Sequence, residues 1–371
     1  MTNIDDMLNK IDKLNTFFEI DDPTVDDVRE VYKKEDVLKS VVADIEGISE
    51  REVILGNPFA GDKLIPDREI GPDEWGLVLC GGGGRGAYHI GAWKALMEYN
   101  NLLSKVTAYS GDSIGAINEL LFESVDNATA KQIWLDIDFL TVFDTEPELI
   151  DMREGTFSRN EMIDVMRKHI NFKKLSESER LMYVNMTRYA DNSTSPSGGV
   201  PVYTLLNGKD DNLIEHIILA SSALPVIYEA VKIGDGYYRD GGLTDNTPVK
   251  PLYDAGYRKI IVIGLSTESE LDESKYPGCE FVFIKPTAET GNLFTGTLNF
   301  SDHQVKFTYE LGYRDTLRYL KAHFEKDEAF IKKMDELAAI DFKDIMTDLK
   351  IDKYENRFNA NMEQLKRFAD I

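Results

Sequence analysis

The sequence predicts an α/β fold: a mostly parallel central sheet with helices on both faces, plus helical N- and C-terminal segments. Three observations predict it. Short apolar runs with little alternation, Gly76-Leu77-Val78-Leu79-Cys80 and Lys259 to Leu265, read as strands buried on both faces. From Trp75 to Leu121 the pattern runs strand, loop, helix, strand, loop, helix, the alternation of a parallel sheet. At 42% hydrophobic residues, a chain of 371 can bury a substantial core.

The elements follow in order. Residues 1–50 hold fourteen Asp or Glu against six Lys or Arg, with Ile4, Met7, Leu8, Ile11, Leu14 and Phe18 at helical spacing. Two helices are expected there, broken at Asp22-Pro23. Residues 51–74 mix Gly, Pro and charge and read as a linker. The main domain is expected over 75–289. It opens with the Trp75–Cys80 strand, the glycine run Gly81–Gly86 and a helix from Ala87 to Tyr99. A strand at Val106 and a helix beyond Ile114 follow, then a helix over Asp126 to Asp138. Ser158-Arg159-Asn160-Glu161 has capping-box spacing and opens another helix. Leu181 to Tyr189 and Val200 to Leu206 read as strands, and Asn212 to Leu224 as a helix ended by Pro225. Strand-like stretches then lead into Asp240-Gly241-Gly242. Lys259 to Leu265 and Glu280 to Ile284 are further strands. Residues 290–371 form a helical C-terminal segment, with Phe330, Met334, Leu337 and Leu349 as packing positions.

The net charge of −24 excludes nucleic acid as a partner, because phosphate must be met by Lys and Arg. It also disfavours anionic membrane surfaces. Two cysteines, Cys80 and Cys279, suggest neither a disulfide framework nor a Cys-based zinc site. The acidic first ten residues lack the basic and apolar regions of a signal peptide, and no apolar run reaches membrane-span length. A cytoplasmic protein is expected.

The chemistry centres on Gly111-Asp112-Ser113-Ile114-Gly115. G-x-S-x-G between a strand and a helix has the form of a nucleophile elbow, which pushes the Ser113 hydroxyl out at the end of the sheet. The plainer alternative is a tight turn with an N-capping serine. Gly81–Gly86 fits G-x-G-x-x-G, but the second strand ends in the serine elbow and not in the acidic residue of a dinucleotide site. A glycine run also lets several N–H groups approach a developing oxyanion. Arg85 either holds this loop or meets a phosphate-bearing substrate. A serine needs a base. The candidates are Asp240, followed by a flexible Gly-Gly, and the late histidines His303 and His323.

The ordered trio Gly81-Gly82-Gly83-Gly84-Arg85-Gly86, Gly111-Asp112-Ser113-Ile114-Gly115 and Asp240-Gly241-Gly242 resembles the patatin-like phospholipase family, as does Ala220-Ser221-Ser222-Ala223-Leu224-Pro225. The resemblance covers Trp75 to Ser266 and implies a three-layer, patatin-like catalytic domain of bacterial type. It implies Ser113 as nucleophile and Asp240 as base of a dyad without histidine. The N–H groups of Gly82, Gly83 and Gly84 become the oxyanion hole, and Arg85 a substrate-binding residue. The implied activity is lipid acyl hydrolysis through an acyl-serine, with no cofactor or metal. Asp112 departs from the small residues, Thr or Ser commoner beside the serine, and is expected to bear on substrate choice more than on catalysis. The expected partner is a lipid or other acyl ester. The reading leaves room for transient membrane contact and for homo-oligomers through the terminal helices. The alternatives are a Ser-His-Asp esterase using a late histidine, a nucleotide- or phosphate-binding module using the glycine run, and an idle scaffold.

Overall fold

A computed structural model describes residues 54, 57–59, 61–137, 160–190, 198–224, 228–291, 296–297 and 299–336. The expected N-terminal helices, the Ser158 capping box, Pro225, Leu337 and Leu349 lie outside the described residues. The chain divides into two compact units, 1–317 and 318–371.

The first unit is built on an eight-stranded sheet. Its strands are β1 (Trp75–Leu79), β2 (Val106–Asp112), β3 (Leu181–Tyr189), β4 (Val200–Leu205), β5 (Val231–Ile233), β6 (Gly236–Asp240), β7 (Lys259–Ile263) and β8 (Glu280–Ile284). The order is β5-β6-β3-β2-β1-β7-β8, with β4 paired to β3. The β1–β2, β2–β3, β1–β7 and β7–β8 pairs are parallel, while β3–β4, β3–β6 and β5–β6 are antiparallel. The sheet is therefore mixed and mostly parallel, as the strand–helix alternation predicts. Trp75 to Leu79 and Ile260 to Ile263 are buried throughout, which is why they show no apolar–polar alternation.

Among the described helices are α1 (Ala87–Glu98), α2 (Ile114–Ser124), α3 (Asn127–Asp136), α4 (Asn160–His169), α5 (Phe172–Ser176), α6 (Asp211–Ser221), α7 (Lys250–Asp254) and α8 (Asp302–Leu320). Asp126 caps α3 and Asp210 caps α6, each accepting an N–H three residues on. Val78, Cys80 and Ala108 face one side of the sheet, against Leu252 of α7, Val249 and Tyr257. Leu64 and Ile70, ahead of β1, pack on the same cluster, and Tyr183 Oη donates to Leu64 O at 2.6 Å.

One feature of the sheet positions everything that follows. β3 pairs with β2 up to Asn185, which faces Asp112, and with β6 from Met186, which faces Asp240. The first pairing is parallel and the second antiparallel. The carboxyl ends of β2 and β6 therefore meet head-on along one edge of β3.

Within the second unit, Arg318 Nε pairs with Asp335 Oδ1 at 2.6 Å. Among the described residues, no helix is long and apolar enough to cross a membrane.

Candidate active site

Ser113 follows β2 directly and caps α2. Its backbone sits at φ 52°, ψ −122°, a region that a side chain rarely occupies. The glycines on either side permit this turn. A Cβ on Gly111 would lie 2.6 Å from Ala116 N, and one on Gly115 would collide with Leu79 O. Strand, turn and helix thus cross at contact distance, which raises the serine off the sheet. Its strained backbone is tied down from the neighbouring helix. Ser113 N–H donates to Ser221 Oγ at 3.0 Å, and the Ser221 hydroxyl donates to Asn185 O at 2.7 Å.

The head-on meeting of β2 and β6 brings Ser113 to Asp240, 127 residues away. Ser113 Oγ donates to Asp240 Oδ2 at 2.7 Å. Asp240 is 5% exposed, and its second oxygen accepts Gly242 N–H at 2.9 Å. One carboxylate oxygen is thereby held by the turn and the other is left for the serine. Among the described residues, no histidine is a hydrogen-bond partner of Ser113.

The glycine run lies against the serine: a Cβ on Gly81 would stand 3.1 Å from that of Ser113. Gly82 abuts Leu265, and Gly83 and Gly84 lie under the backbone carbonyls of Thr297 and Asn299. Gly83 also takes φ 56°, so both conformation and crowding demand glycine there. Gly86 starts α1 against Ile114 and Trp134. Arg85 is buried at 6% exposure, and its guanidinium donates to Gly291 O.

A polar knot joins this loop to the nucleophile helix. Asn118 of α2 donates to Gly86 O at 2.9 Å and accepts Trp134 Nε1–H at 3.0 Å. Its amide nitrogen also meets His89 Nδ1 at 3.2 Å, while His89 Nε2 meets Ile263 O at 3.3 Å. Burial pushes the His89 imidazole down to about 3, so the ring is neutral, and the donating amide assigns its proton to Nε2. His89 is a brace and not a base.

Asp112, the residue before the nucleophile, lies inside the fold. It is 0% exposed, at the last position of β2, and faces the turn that carries Asp240. Burial first, then the charges of Asp240 and Asp245, hold its carboxyl well above the usual carboxylate range. Cys80 is 1% exposed, and burial pushes its thiol up to about 12. Among the described residues, no group of three His, Cys, Asp or Glu side chains is arranged to hold a metal ion.

An apolar cavity of about 70 Å³ opens beside the elbow, with Ile114, Ile117, Trp134, Met162, Met166 and Phe300 in its lining. Trp134 and Phe300 stack on each other in its wall, at 6.2 Å between ring centres.

Sequence reading alone did not single out Asn185 or Asn118 as site residues. Asn185 carried one signal, a polar side chain in the otherwise apolar run Leu181–Met186, and Asn118 sits beside Glu119 as a polar pair within Ile114–Leu121.

The patatin-like phospholipase family model matches residues 77–253. No curated protein matches the chain in sequence. Among solved structures, VipD from Legionella pneumophila is similar over 74% of this chain and 71% of its own, at 15% identity and TM-score 0.46. The type III effector ExoU of Pseudomonas aeruginosa is similar over 68% of this chain and 53% of its own, at 18% identity and TM-score 0.39. Human GIVD cytosolic phospholipase A2 is similar over 84% of this chain and 64% of its own, at 11% identity and TM-score 0.40. The chain thus spans about half of ExoU and just under two thirds of the human enzyme.

Proposed function

From the premise that residues 77–253 are a patatin-like phospholipase domain, we propose that the protein is a lipid acyl hydrolase working through a Ser113–Asp240 dyad. The observation that carries this reading is the 2.7 Å hydrogen bond from Ser113 Oγ to Asp240 Oδ2, made at a strained elbow with the glycine run alongside.

The steps follow from the geometry. The ester carbonyl sits over Ser113 with its oxygen towards the glycine run. Asp240 Oδ2 takes the hydroxyl proton as Oγ attacks. The N–H groups of Gly82, Gly83 and Gly84 stabilise the tetrahedral oxyanion, where loss of one such donor typically costs about 10²–10³ in rate. Asp240 returns the proton to the leaving alcohol, leaving an acyl-serine. A water then gives its proton to Asp240 as its oxygen attacks the acyl carbon, the Oγ–acyl bond breaks to release the acid, and Asp240 returns the proton to Ser113 Oγ. Arg85 acts by fastening the glycine run to Gly291, and so positions the oxyanion donors instead of meeting substrate. The apolar cavity beside Ile114 takes the first part of the acyl chain.

The test is acid release from phosphatidylcholine vesicles and from p-nitrophenyl esters. The wild type releases acid and a folded Ser113→Ala variant does not. Hydrolysis that survives Ser113→Ala refutes the proposal.

A further inference from the structure

The carboxyl of Asp112 has no step in the mechanism above, yet it is built into the site. β2 and β6 meet head-on, so Asp112 and Asp240 occupy consecutive positions along β3, opposite Asn185 and Met186. The Asp112 carboxyl and the Asn246 side-chain oxygen together fill the space between the two glycine motifs. A Cβ on Gly81 would lie 2.6 Å from its Oδ2, and one on Gly242 3.1 Å from the same atom. A Cβ on Gly241 would collide with its Oδ1. Neither Asp112 oxygen has a hydrogen-bond partner, although both are fully buried.

The surroundings make an anion untenable there. The charges that act on Asp112 are Asp240 on β6 and Asp245 on the following turn, both acidic. The other titratable groups within its field are Cys80 at the end of β1 and Tyr203 on β4, and burial raises both towards the neutral form. Gly242 N–H eases a charge on Asp112 only in part, because it donates to Asp240 Oδ1 at 2.9 Å. Asn185 Oδ1, on the residue that pairs with Asp112 across the ladder, is a second buried oxygen without a donor. Asn185 cannot turn its amide to help, because its nitrogen donates to Gly241 O at 3.0 Å and Asp245 O at 2.6 Å. A carboxylic O–H can satisfy an orphaned acceptor. A carboxylate only adds another.

We propose that Asp112 is a positioning residue that works as an uncharged acid, a wedge that spaces the glycine run from the Asp-Gly-Gly turn and so fixes Asp240 against Ser113. The proposal rests on the Ser113–Asp240 reading. It adds a requirement that the dyad alone does not make: the residue before the nucleophile must be both shaped like a carboxyl and neutral.

The experiment measures the rate of fluorophosphonate labelling from pH 5 to 9 for wild type, Asp112→Asn and Asp112→Ala, with Ser113→Ala as the zero. Removing the wedge slows Asp112→Ala by about tenfold or more through misplacement of the base. Asn keeps the shape and neutrality, so Asp112→Asn stays within about threefold of wild type, with the acid limb at the same midpoint. An anion at Asp112 would hold up the pKa of Asp240, so its removal would drop that midpoint. A lowered midpoint, an Asp112→Asn rate as slow as that of Asp112→Ala, or an Asp112→Ala rate equal to wild type each overturns the proposal. Absence of labelling at Ser113 in wild type indicts the dyad reading instead. Infrared spectra at pH 7 of protein with ¹³C-labelled aspartate carboxyls then decide for Asp112 alone, and also if Asp112→Ala does not fold. The protonated-aspartate C=O stretch should be present in wild type and weakened in Asp112→Asn. Identical bands in the two proteins overturn the proposal.

Discussion

Glu119 offers a test of the burial pattern that needs no substrate. It lies on α2, six residues after the nucleophile, is 0% exposed, and neither carboxyl oxygen has a hydrogen-bond partner. Burial alone holds its carboxyl well above the usual range. The folded protein therefore keeps this proton at a pH where the unfolded chain releases it, so stability falls as pH rises. The contribution is fully present below the unfolded value of about 4.5 and shrinks by about 1.4 kcal/mol, a factor of ten, for each pH unit up to the folded value. His89 runs the other way. Its pKa is lowered to about 3, so its contribution is present above the unfolded value and is lost as pH falls towards 3. From about pH 4.5 to 6.5 the two partly cancel, and above 6.5 the acids dominate. Glu119→Gln removes one acid and leaves its volume. The amide adds buried donors at a fixed cost, so the informative quantity is the change with pH. Urea unfolding from pH 5 upward should show the variant gaining on wild type as pH rises, by about tenfold in the folding equilibrium per pH unit until the folded value is reached. Parallel pH curves for the two proteins would refute the reasoning.

Three further outcomes follow from the same geometry. Phe300→Ala and Trp134→Ala open the stacked wall of the apolar cavity, so activity on p-nitrophenyl esters should shift towards longer acyl chains. An unchanged chain-length profile would remove that cavity from the substrate path. Asn118→Ala strips the knot between the glycine run and α2, leaving Trp134 Nε1 and Gly86 O without this partner. It should cost about 2–5 kcal/mol in urea unfolding and slow Ser113 labelling in the fraction that remains folded. Wild-type stability and labelling would show that the knot holds nothing.

The fold was legible where local chemistry decides it. Leu181 to Tyr189 and Glu280 to Ile284 end where their β-branched and aromatic runs end. Asp126 marks the start of α3 because a short acceptor side chain caps a helix. What no local signal encodes is pairing across the chain. β6 is a modest five-residue strand, and its sequence does not say that it lies antiparallel along β3, end to end with β2. That non-local pairing sets Asp240 against Ser113 and turns Asp112 inward. Asp112 and Ser113 are adjacent in sequence, yet the alternation of a strand's side chains, together with the crossing helix, sends them to opposite destinations. Gly241 shows the same lesson from the other side. As a turn glycine it is ordinary, but next to Asp112 Oδ1 and Asn185 O any side chain would collide.

The central claim is that Ser113 is a nucleophile activated by direct contact with Asp240. The most direct measurement is fluorophosphonate labelling of wild type, Ser113→Ala, Asp240→Asn, His303→Ala and His323→Ala, each confirmed as folded, with the modified peptide identified by mass spectrometry. The account predicts an adduct on Ser113 in wild type and both histidine variants, none in Ser113→Ala, and labelling reduced by orders of magnitude in Asp240→Asn. Full labelling of Asp240→Asn, or its loss in a histidine variant, would contradict it.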